Sequence, residues 1–293
     1  MKKIVELHDG STLEVGLTGN PSAKVIMLPV AKKSVYGQEA ESLKLWGVDP
    51  ELGKNFVEGL SDTFQVMYFD YESHLFAHPQ PNSLTPENMA QDLLRIADEM
   101  NVGKFSYYGY SWLALVGLQL AIRTNRLESL IMGGYPPYEG PYQEMLAVTE
   151  KTYEQAMNHQ NIPEYAHEEP TSPEEIDWNT IQVKIDPNQT KQFFTMYQSL
   201  MDFDDKKIQD SLSFPKLAFA GEKDTIVYGE SFGSVTVDII GLLQKNEKQL
   251  KSFGWDVEIL KGNGMDHTKA MQPATVLPLI KPWLIEAFLD LSQ

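Results

Sequence analysis

Apolar residues in this chain fall into two rhythms, and the change from one to the other recurs from the start of the sequence to about residue 134. Residues 4–7 and 13–17 alternate as strands do and flank Asp9-Gly10, a pair suited to a hairpin turn. Residues 24–28 and 65–69 are short apolar runs of the kind buried strands use, and residues 38–60 between them have helical spacing broken at Gly47 and Pro50. Residues 86–100 predict a helix. Thr85 can cap it, Pro86 stands in the first turn where a missing N–H costs nothing, and Met89, Leu93, Ile96 and Met100 line one face. An apolar run over 104–108, a helical run over 113–122 and a strand over 127–132 ended by Gly133-Gly134 follow. Further on, 217–220 and 255–260 read as strands, with a helix over 235–253 between them. Strands and helices in alternation predict an α/β fold: a mostly parallel central sheet with helices on both faces.

After Gly134 the rhythm breaks. Pro136-Pro137, Gly140-Pro141, Pro163, Pro170, Pro173 and Pro187 punctuate a stretch rich in Glu, Tyr and Gln, within which 142–158 and 189–201 have helical spacing. The expected organisation is a core built from residues 1–134 and 211–293, with a helical lid over 135–210 inserted in it. Aromatic residues crowd the insertion, among them Tyr135, Tyr142, Tyr165, Phe193 and Tyr197. They suit an apolar substrate, and equally suit packing of the insertion onto the core.

Composition narrows the choice of partners. Of 293 residues 42% are hydrophobic, enough for a sizeable core, and the formal net charge of −17 argues against nucleic acid or an anionic membrane surface. A small molecule is the expected partner; oligomeric state is not legible. The chain has no cysteine, so disulfides, thiolate nucleophiles and Cys-ligated zinc are excluded. Met1-Lys2-Lys3 starts like a leader, but Glu6, His8 and Asp9 interrupt any apolar segment, and a cytoplasmic location is the expectation.

The most informative residues are Gly109-Tyr110-Ser111-Trp112, set between a predicted strand and a predicted helix. A sharp strand-to-helix turn lifts a serine hydroxyl clear of its neighbours and aims the first N–H groups of the helix beside it. Downstream, the strand over 217–220 runs into Gly221-Glu222-Lys223-Asp224, and the strand over 255–260 runs towards Gly262-Asn263-Gly264-Met265-Asp266-His267. Serine, acid and histidine in that order, each just past a strand, resemble the α/β-hydrolase family. Residues 108–121 look like its nucleophile elbow and following helix, Gly221-Glu222-Lys223-Asp224 is similar to its acid loop, and Met265-Asp266-His267 to its histidine loop. The resemblance covers most of the chain and is weakest over 135–210.

It implies a triad of Ser111, Asp224 and His267, with backbone N–H groups of Trp112 and Ala31 forming an oxyanion hole, and Tyr110 and Tyr135 as candidate substrate contacts. Two positions depart from the family pattern. Pro29-Val30 replaces the usual His-Gly before the oxyanion residue, and Leu113 replaces the last glycine of the elbow. Other candidates fit less well. Gly229-Glu230-Ser231-Phe232-Gly233 matches G-x-S-x-G by letters but follows the acid loop instead of preceding it. Asp266 would have to fold back on its own neighbour, Asp204, Asp205 and Asp210 precede the acid strand, and Glu222 fits the spacing less well than Asp224. His74 and His78 are four apart but stand in an expected loop with Pro79 and Pro81 and without a third ligand, so no metal is expected. His8, His159 and His167 have no supporting neighbours in the sequence. No G-x-G-x-x-G or Walker loop is present, and no cofactor is expected.

The expected chemistry is hydrolysis of a small carboxylic ester or related acyl substrate through an acyl-enzyme on Ser111. A serine at the elbow argues against the dehalogenase and epoxide-hydrolase chemistries, which use an aspartate there. The alternative is a catalytically impaired protein of the same fold that binds a small molecule under its lid, which the Pro29-Val30 and Leu113 departures favour.

Overall fold

The computed structural model describes residues 1–159 and 186–290. The N-terminal hairpin forms as the alternation requires: β1 (Lys2–Glu6) and β2 (Thr12–Thr18) pair antiparallel across the Asp9-Gly10 turn. Then come β3 (Val25–Leu28), α1 (Gly37–Leu45), α2 (Leu52–Ser61) and β4 (Gln65–Phe69), with the helices separated at Gly47 and Pro50. A seven-residue helix, α3 (Tyr71–Ala77), occupies the segment expected to be a loop. Asp70 caps it by accepting from Ser73 N at 3.2 Å, and the helix ends before Pro79 and Pro81, so the prolines limit it without forbidding it. α4 (Pro86–Glu99) has Thr85 as its cap, with Met89, Leu93 and Ile96 buried.

β5 (Phe105–Tyr110), α5 (Trp112–Ala121) and β6 (Leu127–Gly133) form the centre of the molecule. The chain then leaves the sheet to form α6 (Tyr142–His159) and α7 (Pro187–Ser199), and re-enters it as β7 (Lys216–Gly221). After β7 the expected long helix proves to be two elements. Its first residues form β9 (Thr236–Asp238), which pairs antiparallel with β8 (Thr225–Val227), and only then does α8 (Ile239–Ser252) begin. β-Branched Thr236 and Val237 suit a strand, and Asp238 starts the helix by accepting from Gly241 N at 3.0 Å. β10 (Trp255–Leu260), the short α9 (His267–Ala270) and α10 (Pro273–Asp290) complete the chain. α10 keeps Val276, Ile280 and Leu284 wholly buried despite Pro278 and Pro282 within it.

The main sheet has eight strands in the order β1-β2-β4-β3-β5-β6-β7-β10, and β4 to β10 run parallel to one another; only β1 with β2 and β2 with β4 pair antiparallel. One face carries a core to which α4, α5 and α8 contribute, and the other a core to which α2 and α10 contribute. This is the two-faced α/β arrangement the spacing predicts. β4 lies on one side of β3 and β5 on the other, so the order reverses there. Crevices for ligands open at such reversals, beyond the carboxyl ends of the strands.

α7 is tied to the core by side chains bonding to backbone. Gln189 Nε2 donates to Phe76 O at 2.6 Å, Thr195 Oγ1 to Pro81 O at 2.6 Å and Gln192 Nε2 to Leu75 O at 3.1 Å. Gln192 Oε1 also accepts from Gln80 N at 3.1 Å, so this fully buried amide satisfies two main-chain groups at once. Tyr165, His167, Pro163, Pro170 and Pro173 lie outside the described residues.

Both ends of the insertion meet at two carboxylates. Buried Asp205 accepts from Glu139 N and Gly140 N, each at 2.9 Å, which pins a turn where Glu139 has a φ of +53°. The Glu139 side chain in turn binds Lys206 and Lys245, each at 2.6 Å, and Asn246 at 3.2 Å. These hydrogen bonds hold the Glu139 pKa down at about 2 from an ordinary 4.5. A depressed carboxylate stabilises the fold above its unfolded pKa and loses that effect as pH falls towards its folded pKa. Burial pushes Asp205 the opposite way. Urea midpoints measured from pH 6 down to about pH 2 should therefore fall less steeply below about pH 4.5 in Glu139→Gln than in the wild type. Parallel curves would show that the pairing contributes nothing to stability.

Candidate active site

Ser111 stands between β5 and α5 with φ +56° and ψ −131°, a backbone conformation that a residue with a side chain rarely adopts. Two contacts hold it there. Ser111 N donates to Gly133 O at 2.8 Å, and Ser111 O accepts from Ala114 N at 2.9 Å as the helix begins. The turn is tight because the strand has no side chain at Gly109: a Cβ there would stand 2.3 Å from the Leu113 carbonyl oxygen. Tyr107 fixes the same carbonyl from beneath, its hydroxyl donating to Leu113 O at 2.9 Å.

The loops after β7 and β10 are laced together. Glu222 N donates to Leu260 O and Lys223 N to Met265 O, both at 2.9 Å, and Glu222 Oε1 accepts from Gly262 N at 3.0 Å. Between them Asp224, wholly buried, meets His267: Nδ1 and Oδ1 are 2.8 Å apart. That bond assigns Nδ1 the proton in the neutral ring and leaves Nε2 as the basic nitrogen. Gly134, at φ +61°, lets the ring approach, since a Cβ there would lie 2.9 Å from His267 Cε1 and 2.6 Å from the Tyr110 ring. Ser111 and the His267 ring thus abut the same Gly133-Gly134 corner. Asp266 caps α9, accepting from Lys269 N at 2.9 Å, and Glu222 binds backbone, so neither competes with Asp224.

The loop bearing Ala31, the expected oxyanion donor, follows β3 at the reversal in strand order. Val30 does not take a positive φ, so the loop does not demand glycine geometry at that position. The Leu113 side chain does not block the turn either. It is buried, and with Ala31, Pro29 and Val30 it lines a second cavity of about 260 Å³. Among the described residues neither Ala31 N nor Trp112 N donates a hydrogen bond. Trp112 N is one of the unpaired donors every helix start leaves.

A larger cavity of about 330 Å³ reaches Ser111 from beneath the insertion. Trp112, Tyr135, Phe193, Tyr197 and Ile239 contribute to its largely apolar wall. Of the insertion's aromatics, Tyr135 and Phe193 line the cavity, Phe193 also packs on Phe76 of the core at 5.8 Å, and Tyr142 packs edge-on against Phe203 within the insertion at 5.7 Å. Trp112 is fixed on three sides, by Tyr71 stacked at 6.5 Å, Phe193 edge-on at 5.3 Å and a bond from its Nε1 to Glu72 Oε1 at 2.9 Å. Tyr110, the other candidate substrate contact, does not line this cavity; its hydroxyl turns to the acid and histidine loops, donating to His267 O at 2.8 Å.

Two further expectations change. His74 lies in α3 with His78 at its end, their rings 4.9 Å apart, on a helix after all; yet His74 Nε2 pairs with Ser11 Oγ at 2.8 Å. No group of three or more metal-ligating side chains occurs among the described residues. His8 does have a neighbour: its N and Nδ1 meet buried Asp92 at 2.8 and 2.9 Å. Ser231 sits in a short turn against α6, where its carbonyl accepts from Gln155, away from the Asp224–His267 pair.

Replacing Gly109 by alanine forces a Cβ onto main chain that cannot move without the helix. We expect a loss of about 2–4 kcal/mol in urea unfolding. A variant within about 0.5 kcal/mol of wild type would refute the close approach as the basis of the turn.

No family model matches the sequence, and no curated protein does. Solved structures do match over the whole length. A carboxylesterase structure from Nitrososphaera gargenis is 13% identical, covering 98% of this chain and 100% of that one, with a TM-score of 0.61. A thermophilic esterase from Thermogutta terrifontis is 18% identical, covering 98% and 99%, with a TM-score of 0.57. An α/β-hydrolase superfamily epoxide hydrolase from hot-environment metagenomes is 15% identical, covering 98% of each chain, with a TM-score of 0.51. The likeness is one of fold: the chain has the α/β-hydrolase fold.

Proposed function

We propose that the protein is a serine hydrolase of small carboxylic esters, acting through an acyl-enzyme on Ser111. The observation that carries this reading is the left-handed Ser111 at the strand–helix turn, beside a His267–Asp224 pair bonded at 2.8 Å. Strain of this kind costs about 1–3 kcal/mol and persists where the surroundings impose it, as nucleophile elbows do. Esterases among the similar structures support the same reading.

The steps follow from the donors and acceptors available. Ser111 Oγ attacks the ester carbonyl carbon while His267 Nε2 takes its proton, and Asp224 stabilises the imidazolium and keeps the ring oriented. Negative charge gathers on the carbonyl oxygen, which the free N–H groups of Trp112 and Ala31 receive. Collapse of the tetrahedral intermediate breaks the bond to the leaving oxygen, which takes the proton from His267 and departs as the alcohol. Water, deprotonated by His267, then attacks the acyl-serine and releases the acid. The cavity beneath the insertion receives the acyl group, and its apolar wall favours an acyl group without charge. An epoxide or haloalkane has no acyl carbon for this serine to attack.

A fluorophosphonate should add to the wild type and not to Ser111→Ala, read by intact mass. On an ester the wild type hydrolyses, Ser111→Ala and Asp224→Asn should each lower kcat by about 10³-fold or more. No adduct on folded wild type would overturn the reading in favour of a binding protein. Equal labelling of both would assign the nucleophile elsewhere.

A further inference from the structure

Tyr110 immediately precedes Ser111, and its side chain leaves the strand end on the side of the acid and histidine loops. Its hydroxyl donates to the His267 carbonyl at 2.8 Å and stands 3.5 Å from Asp224 Oδ2. Asp224 Oδ1 is taken by His267 Nδ1, and among the described residues Oδ2 has no other donor within hydrogen-bond distance. Because Asp224 is wholly buried, its second oxygen depends on that neighbour for a polar contact. The Tyr110 ring is gripped as well: it packs on the His267 ring at 5.0 Å and on Phe219 at 6.0 Å, in space left by the missing side chain of Gly134.

A phenol has one proton to give. Here the shorter bond takes it, to the main chain of the histidine itself, and the approach to Oδ2 lies at the outer limit of a hydrogen bond. Burial and the neighbouring Asp224 carboxylate push the phenol's pKa well above its usual range, so it remains a donor. Consecutive residues of one turn therefore touch the two halves of the site. Ser111 presents a hydroxyl to the reacting carbon, and Tyr110 holds the loop that carries the base.

We propose that Tyr110 is a positioning residue that fixes the His267–Asp224 pair in register with Ser111. The proposal rests on the triad reading above and adds a residue that touches no substrate. Nothing in the letters of a Gly-x-Ser turn assigns such a role to x. The phenol reaches that carbonyl because the start of α9 lies against the end of β5.

The test is Tyr110→Phe, which retains the ring and removes only the hydroxyl. On an ester that the wild type hydrolyses, kcat should fall about tenfold with KM within about twofold, the loss of about one hydrogen bond. The rate of fluorophosphonate labelling should fall in the same ratio. The downfield proton resonance of the His267 Nδ1–H bond should broaden or shift, while the melting curve shows a folded protein. In an Asp224→Asn background, Tyr110→Phe should slow labelling by clearly less than tenfold, since Tyr110 acts through the pair. Tyr108→Phe serves as the control: its buried hydroxyl has no hydrogen-bond partner among the described residues, and its removal should leave rates and resonance unchanged. An unchanged rate and resonance in Tyr110→Phe, or an undiminished effect beside Asp224→Asn, would overturn the proposal. Failure of the wild type to take the fluorophosphonate would sink the hydrolase reading alone, because the resonance still decides whether Tyr110 orders the pair.

Discussion

The crossing of two backbones at Gly109 and Leu113 is the constraint on which the rest of the site depends. β5 ends and α5 begins at a separation that leaves no room for a side chain, and the chain between them must reverse within two residues. The turn places Ser111 at a positive φ of +56°. The cost is met by neighbours already in place: the Gly133 carbonyl, the Tyr107 hydroxyl and an almost wholly buried helix behind. Position and strain share one cause. A looser crossing would relieve the serine and lower it into the surface.

Strand order supplies the other half. The reversal at β3 and β5 brings the loop bearing Ala31 beside the elbow, and β7 and β10, further along the sheet, deliver Asp224 and His267 from the same edge. Four loops separated widely in sequence thus meet at one end of one sheet, and none of them is long. The Pro29-Val30 segment accommodates this without special backbone angles, and buried Leu113 lines a neighbouring cavity.

How much of this is legible in the sequence depends on the range of the interaction. Strands 65–69 and 255–260 and the helix capped by Thr85 are local, written in periodicity and in single capping residues, and they stand where the pattern puts them. Ser111, Asp224 and His267 can be singled out because each lies just past an apolar run, although the bond between Asp224 and His267 is not local. Other features leave no such trace. α3 is too short for a helical rhythm to register, and the first turn of the expected 235–253 helix is a strand because a partner strand exists to pair with it. The contact of His8 with Asp92 joins positions 84 apart, and that of Tyr110 with the His267 carbonyl joins positions 157 apart. Acceptors on the main chain carry no letter at all, so the role of Tyr110 is invisible until the loops are in place.

The ties between α7 and the core change what kind of wall the cavity has. A helix held by a buried glutamine and two further side chain–backbone bonds shares the rigidity of the sheet beneath it, and its amides should exchange with solvent on the slow timescale of that sheet. Phe193, which α7 carries into the cavity, is then a fixed wall for any occupant and not a flap that yields to it. Selection for an occupant of a different size would have to act on the identity of that side chain, because the backbone bearing it has little freedom left to move.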